Sequence, residues 1–81
     1  MSLNDFVRAA LVDLKVTSGM SLRDIGITVR RSHEWVQRRM IGETAMTLDD
    51  VIKLAGAMTG DDAAEHWLLE QLKAYDHQRY Q

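Results

Sequence analysis

Ser32, His33 and Glu34 stand side by side in this 81-residue chain. In that order they spell a nucleophile, a base and an orienting carboxylate. A catalytic relay needs the three groups to converge. Successive residues on a helix diverge by about 100°, so on a helix these side chains point apart. His66 and Glu70 are spaced to share a helical face and offer two ligands to a surface metal, but a third ligand is lacking. There is no cysteine, which removes disulfides and thiolate ligands. Glycine-rich phosphate loops and convergent acid pairs are not evident either. The expectation is a protein without catalysis, cofactor or evident small-molecule ligand.

Charge is the more informative chemistry. Residues 21–42 read SLRDIGITVRRSHEWVQRRMIG and hold Arg23, Arg30, Arg31, Arg38 and Arg39 against Asp24 and Glu34, a local charge of +3. The whole chain is −2, so everything else carries −5. Half of the ten cations therefore fall in this one stretch. A pI near 5.8 argues against indiscriminate coating of nucleic acid, yet leaves room for one basic face. No apolar run approaches about 18 residues and acids interrupt the first apolar segment, so no membrane partner is expected. The location this implies is intracellular.

The elements that must position these residues are legible from their punctuation. Met1-Ser2-Leu3-Asn4-Asp5, Met20-Ser21-Leu22-Arg23-Asp24 and Met46-Thr47-Leu48-Asp49-Asp50 are near-copies, but they are irregularly spaced and lead into dissimilar segments. Each reads as a helix start. The hydroxyl accepts from a first-turn N–H, the Asp three residues on bonds back to the cap, and the Met staples onto Phe6, Ile25 or Val51. Gly19, Gly42 and Gly60 supply stops. Apolar stripes join Leu3, Phe6, Val7, Ala10, Leu11 and Leu14, and likewise Leu48, Val51, Ile52, Ala55 and Met58. Asp62 with Glu65 caps a last helix whose stripe is Ala64, Trp67, Leu68, Leu72 and Tyr75. The spacing predicts five helices, over about 3–17, 22–29, 33–41, 48–59 and 62–79. No segment alternates as a strand and proline is absent. The fold class expected is all-α and compact, one domain over 1–81, with stability on the order of 5 kcal/mol.

Only Arg30, Arg31 and Ser32 separate the second and third helices, so the two must cross closely, with Gly26 at the crossing. The alternative is a misplaced glycine costing about 1 kcal/mol relative to alanine. The run resembles the helix-turn-helix of the phage Cro and repressor family, carried by Ser21, Leu22, Ile25, Gly26, Val29, Ser32, Val36 and Gly42. Residues 48–58 are similar to that family's fourth helix, and the resemblance spans roughly residues 3–68. It departs at the turn, where Arg30 stands for the usual glycine. It also departs at Leu22, where the family often has a phosphate-binding glutamine, and at Arg39, where the side chain usually packs inward. The fold implied is a five-helix lambda repressor-like DNA-binding domain.

Wound as a helix, residues 33–41 place His33, Glu34, Gln37, Arg38 and Ile41 within an arc of about 140°, with Val36, Met40 and the stem of Arg39 opposite. The resemblance implies that this outward face enters the major groove of double-stranded DNA. Arg38 would then pair with guanine, Gln37 with adenine and Glu34 with cytosine, while His33 meets a base edge. Glu34 is equally suited to orienting Arg38 or Arg30. Ile41 meets a thymine methyl or flanks the backbone. Ser21, Arg23, Arg30, Arg31, Ser32 and Arg39 are expected on phosphates, which set register without conveying sequence. Trp35 either stacks on sugar at the groove edge or covers the edge of the core.

Residues 61–81 carry −3 and should face away from DNA. Beyond the stripe of the last helix, Leu69 and Tyr80 share an azimuth and offer a surface to a second protomer, or are ordinary exposed residues. A homodimer is expected, because one module touches few bases. The reading is a short transcriptional regulator of Cro type rather than a long repressor, since 81 residues hold no separate oligomerisation or self-cleavage domain. The other reading is a helical protein-interaction module, an antirepressor or adaptor, that keeps the motif without binding DNA.

Overall fold

The hydroxyl caps act as the sequence predicts. In the computed structural model, which describes residues 1–80, Ser2, Ser21, Ser32 and Thr47 each accept a hydrogen bond from the backbone N–H three residues on. These bonds start four helices: α1 (Leu3–Ser18), α2 (Leu22–Val29), α3 (His33–Met40) and α4 (Leu48–Thr59). At Ser21 and Thr47 the box is reciprocal, with Asp24 and Asp50 accepting from the cap's own N–H at 3.1 Å. Asp5 instead takes Arg8 Nη1 at 2.8 Å.

The last helix begins otherwise than expected. Ala63 N–H closes onto the Gly60 carbonyl at 3.0 Å, which winds Asp61–Ala63 into a 3-10 turn. α5 (Ala64–Arg79) then starts with no side-chain cap. Asp62 lies inside that turn, not before a helix, so the Asp62–Glu65 cap does not form. Among the described residues there are five α-helices and no strand.

The helices wrap one core of Val7, Leu11, Ile25, Val36, Met40, Met46, Val51, Leu54, Ala55, Ala64 and Leu68. α4 lies at the centre, against α1, α2 and α5, while α3 packs on α2 and α1. Phe6 and Tyr75 meet edge to face at 5.4 Å and pin α5 to α1. Two of the three methionines expected to staple turn inward, since Met46 is buried and Met20 packs on the core. Met1 does not, being 83% exposed. Leu3, Leu48 and Leu72 also leave their expected inward stripes. They line an open apolar groove of about 360 Å³.

The connection between α2 and α3 explains Gly26. A Cβ there would lie 2.7 Å from the Arg31 carbonyl oxygen, so the short turn can fold over α2 only where no side chain intervenes. The same turn ends α2 with two bonds, Arg31 N–H to the Gly26 carbonyl at 2.9 Å and Arg30 N–H to the Ile27 carbonyl at 3.3 Å. This is the Schellman arrangement, which needs a left-handed residue. Here that residue is Arg30, at φ 62° and ψ 44°. A side chain in that conformation costs about 1–2 kcal/mol, part of which glycine would return through its freer unfolded chain. Arg30→Gly is therefore expected to raise the thermal unfolding midpoint by a few degrees, measurable by calorimetry.

Candidate nucleic-acid interface

Two buried side chains, Val36 and Met40, anchor α3, and the 3.6-residue period turns the other flank outward. His33, Glu34, Gln37 and Arg38 are all exposed on it, and Ile41, which ends the helix, is 62% exposed. These five therefore share one solvent-facing surface, as the sequence places them. Arg23, Arg30 and Arg31 are exposed around it, as are the cap residues Ser21 and Ser32. Each of those two hydroxyls also caps its own helix, which leaves an oxygen lone pair and the O–H for a further partner.

Neighbouring groups on α3 do meet in part. His33 Nε2 lies 3.5 Å from Glu34 Oε1, closer than the helical divergence suggests. The Ser32 hydroxyl is engaged with the Trp35 N–H at 3.1 Å. His66 and Glu70 approach to 3.8 Å. Among the described residues no group of three or more His, Cys, Asp or Glu is placed to hold a metal ion.

Arg39 is the correction. Expected on a phosphate, it is turned inward, its side chain only 17% exposed. Its Nε donates to Asp50 Oδ2 at 3.2 Å and its Nη1 to the Trp35 carbonyl at 3.3 Å. The guanidinium lies 3.9 Å from the centre of the Trp35 ring. Arg31 approaches the same indole at 5.5 Å, and Trp35 packs against the core. Of the two readings left open for Trp35, the structure displays the core-edge role. Burial explains the difference at Arg39: the long stem covers apolar surface, and a guanidinium drawn out of water with it needs a charged partner. Asp50 is that partner, and as a cap residue it was already fixed in place.

Two contributors escape a reading of the sequence by motif. Asp50 is legible as a cap, but nothing in its spacing announces Arg39, eleven residues away. Arg8, about 60° beyond the apolar stripe of α1, lies over Gly42 at the end of α3, where a Cβ would meet its Cζ at 3.0 Å. No signal in the sequence announces that contact. Thr44 N–H closes onto the Arg38 carbonyl at 3.2 Å and draws the next loop back to the helix.

Three carboxylates record this architecture. Burial raises the Asp50 carboxyl, but bonds from Thr47 and Arg39 outweigh it and hold it below the usual carboxylate range. Asp24 is lowered by its bonds with Ser21, and Asp5 by Ser2 and Arg8. Each folded value lies under the unfolded one, so the unfolded chain binds more protons as pH falls. The stability these groups contribute is present above about pH 4 and is lost as pH drops through their folded values. Urea midpoints should thus fall between about pH 5 and about pH 2. Asp50→Asn should make that fall shallower.

No protein-family profile, characterised protein or solved structure matches the chain. No helix among the described residues is long and apolar enough to cross a membrane.

Proposed function

We propose that this chain is a sequence-specific double-stranded DNA-binding transcriptional regulator of the phage Cro and repressor type, with a lambda repressor-like domain. It acts in the cytoplasm of a bacterial or phage-infected cell. α2 and α3 serve as its helix-turn-helix, and α3 enters the major groove, which has room for an α-helix. The observation that carries the reading is the exposed flank of α3. Hydrogen-bonding side chains His33, Glu34, Gln37 and Arg38 project from a helix whose other side is buried, beside exposed Arg23, Arg30 and Arg31.

Division of labour comes from chemistry. Arg38 and Gln37 each offer the paired groups that recognise guanine and adenine, and Arg23, Arg30 and Arg31 neutralise phosphates. Two protomers read half-sites about 34 Å apart, one turn of DNA. Leu69, 48% exposed, and Tyr80, 75% exposed, belong to the surface that joins them. The apolar groove of Leu3, Leu48 and Leu72 favours the second reading, a protein-interaction module.

The deciding experiment is a selection on randomised duplexes, then titration of the winning sequence at several salt concentrations with light scattering of free and bound protein. The expected outcome is one enriched motif, two protomers per site, and log affinity falling linearly with log salt by about 0.9 per phosphate neutralised. Arg31→Ala should weaken all sequences alike and reduce that slope by about 1. Enrichment of no motif would transfer the case to the interaction module.

A further inference from the structure

We propose that Arg39 is a positioning residue for the reading helix, bridging α3 to the start of α4 and so setting where His33, Gln37 and Arg38 point. The inference rests on the DNA-reading role of α3.

α3 is eight residues long and touches α2 and α1. No α3 Cα lies within 8 Å of an α4 Cα. Across that gap runs an ion pair, Arg39 Nε to Asp50 Oδ2 at 3.2 Å, with both side chains largely out of solvent. The acceptor end cannot drift. Asp50 Oδ2 also takes the Thr47 N–H at 3.1 Å, and the Asp50 N–H donates to Thr47 Oγ1 at 3.0 Å. The carboxylate is thus part of the α4 cap, and α4 is the central element of the core.

The donor end is fixed as well. The guanidinium lies 3.9 Å from the centre of the Trp35 ring and bonds the Trp35 carbonyl one turn earlier on its own helix. An aliphatic side chain would fill the same space, but apolar contact has no preferred direction and would let a short helix roll. A planar guanidinium with two aimed bonds, held over the indole, favours one orientation. The same indole carries Arg31 at 5.5 Å on its ring, so the bridge also orders a phosphate-contacting candidate. Arg39 therefore acts through α3 and touches no base or phosphate.

The test uses the full chain and the duplex won by selection, with a scrambled duplex beside it. Arg39→Met keeps the stem and removes the bonds, Arg39→Lys restores the charge without the planar fork, and Tyr75→Ala serves as a control destabilised on α5, which packs on α1 and α4 but not on α3. All are studied well below their melting temperatures, with folding checked by circular dichroism. Arg39→Met should reduce the ratio of selected to scrambled affinity by about tenfold, the loss of one well-aimed base pairing. Its salt slope should equal the parent's, Arg39→Lys should be intermediate, and Tyr75→Ala should keep the parent's ratio. A slope smaller by about 0.9 would show a phosphate contact instead and overturn the proposal. So would a parental ratio in both Arg39 variants, or a reduced ratio in Tyr75→Ala. If Arg39→Met does not fold, Arg39→Lys decides by its ratio alone. In a Trp67→Phe background, where Trp35 is the remaining tryptophan, Arg39→Met should also make indole emission more open to acrylamide quenching. Unchanged quenching counts against the bridge. A parent that prefers no duplex overturns the DNA reading itself, a failure distinct from a parent that discriminates and variants that match it.

Discussion

Arg38→Ala should lower affinity for the selected duplex by about 1–3 kcal/mol, roughly ten- to hundredfold, and flatten the preference at a single base pair. Arg38 is exposed on the last full turn of α3, on the same flank as His33 and Gln37. Its Nη groups form a planar fork that can donate two parallel bonds to guanine O6 and N7, a match no other base presents in the major groove. Truncation leaves the Thr44 bond to the Arg38 carbonyl untouched, because that bond is made by the backbone. Stability should therefore change by no more than about 0.5 kcal/mol, as at other surface positions. Binding isotherms on duplexes varied one base pair at a time give the measurement. A uniform loss across all of them would move Arg38 into the phosphate class. Unchanged affinity would remove it from the interface.

Gly26→Ala should destabilise the fold by about 1–3 kcal/mol, a large part of the total for a domain of this size. Helix propensity alone predicts the opposite sign, since alanine gains about 1 kcal/mol over glycine within a helix. The steric term outweighs it. The new Cβ would stand 2.7 Å from the Arg31 carbonyl oxygen and 3.4 Å from His33 N. The nearest atom is backbone, held by a turn whose Arg31 N–H is bonded to the Gly26 carbonyl, so it cannot swing away as a flexible side chain would. Relief requires α2 and α3 to separate, which opens the core around Ile25 and Val36, both fully buried. Chemical denaturation should show the loss. DNA discrimination measured below the melting temperature should decline too, because the same displacement turns α3. A stabilised Gly26→Ala protein would mean that the turn is more pliant than its bonds imply.

The legibility of this chain was uneven, for physical reasons. Helix starts were readable because a cap is a local device. Ser21 and Asp24, or Thr47 and Asp50, meet within one turn, so a few residues contain the whole interaction. The outward flank of α3 was readable because Val36 and Met40 are apolar and the helical period does the rest. Asp62 misled, since a cap pattern specifies which bonds can form and not whether a preceding glycine turn has already consumed the geometry. Leu48 and Leu72 misled in a related way. Periodicity points a residue toward a side of its helix, while burial depends on whether another element arrives to cover it, and here an open groove lies over them.

Sequence alone therefore determined the all-α class, the starts of four helices, the crossing glycine and which face of α3 turns outward. All of these are decided by interactions within about one helical turn or by the 3.6-residue repeat. Only the tertiary structure decided the fate of Arg39, the anchoring of Arg8 over Gly42 and the exposure of Leu48. Each depends on what another helix brings to the same point in space. For Arg39 the choice was between solvent and interior, and it was settled by a carboxylate eleven residues along the chain that a separate cap had already locked in place.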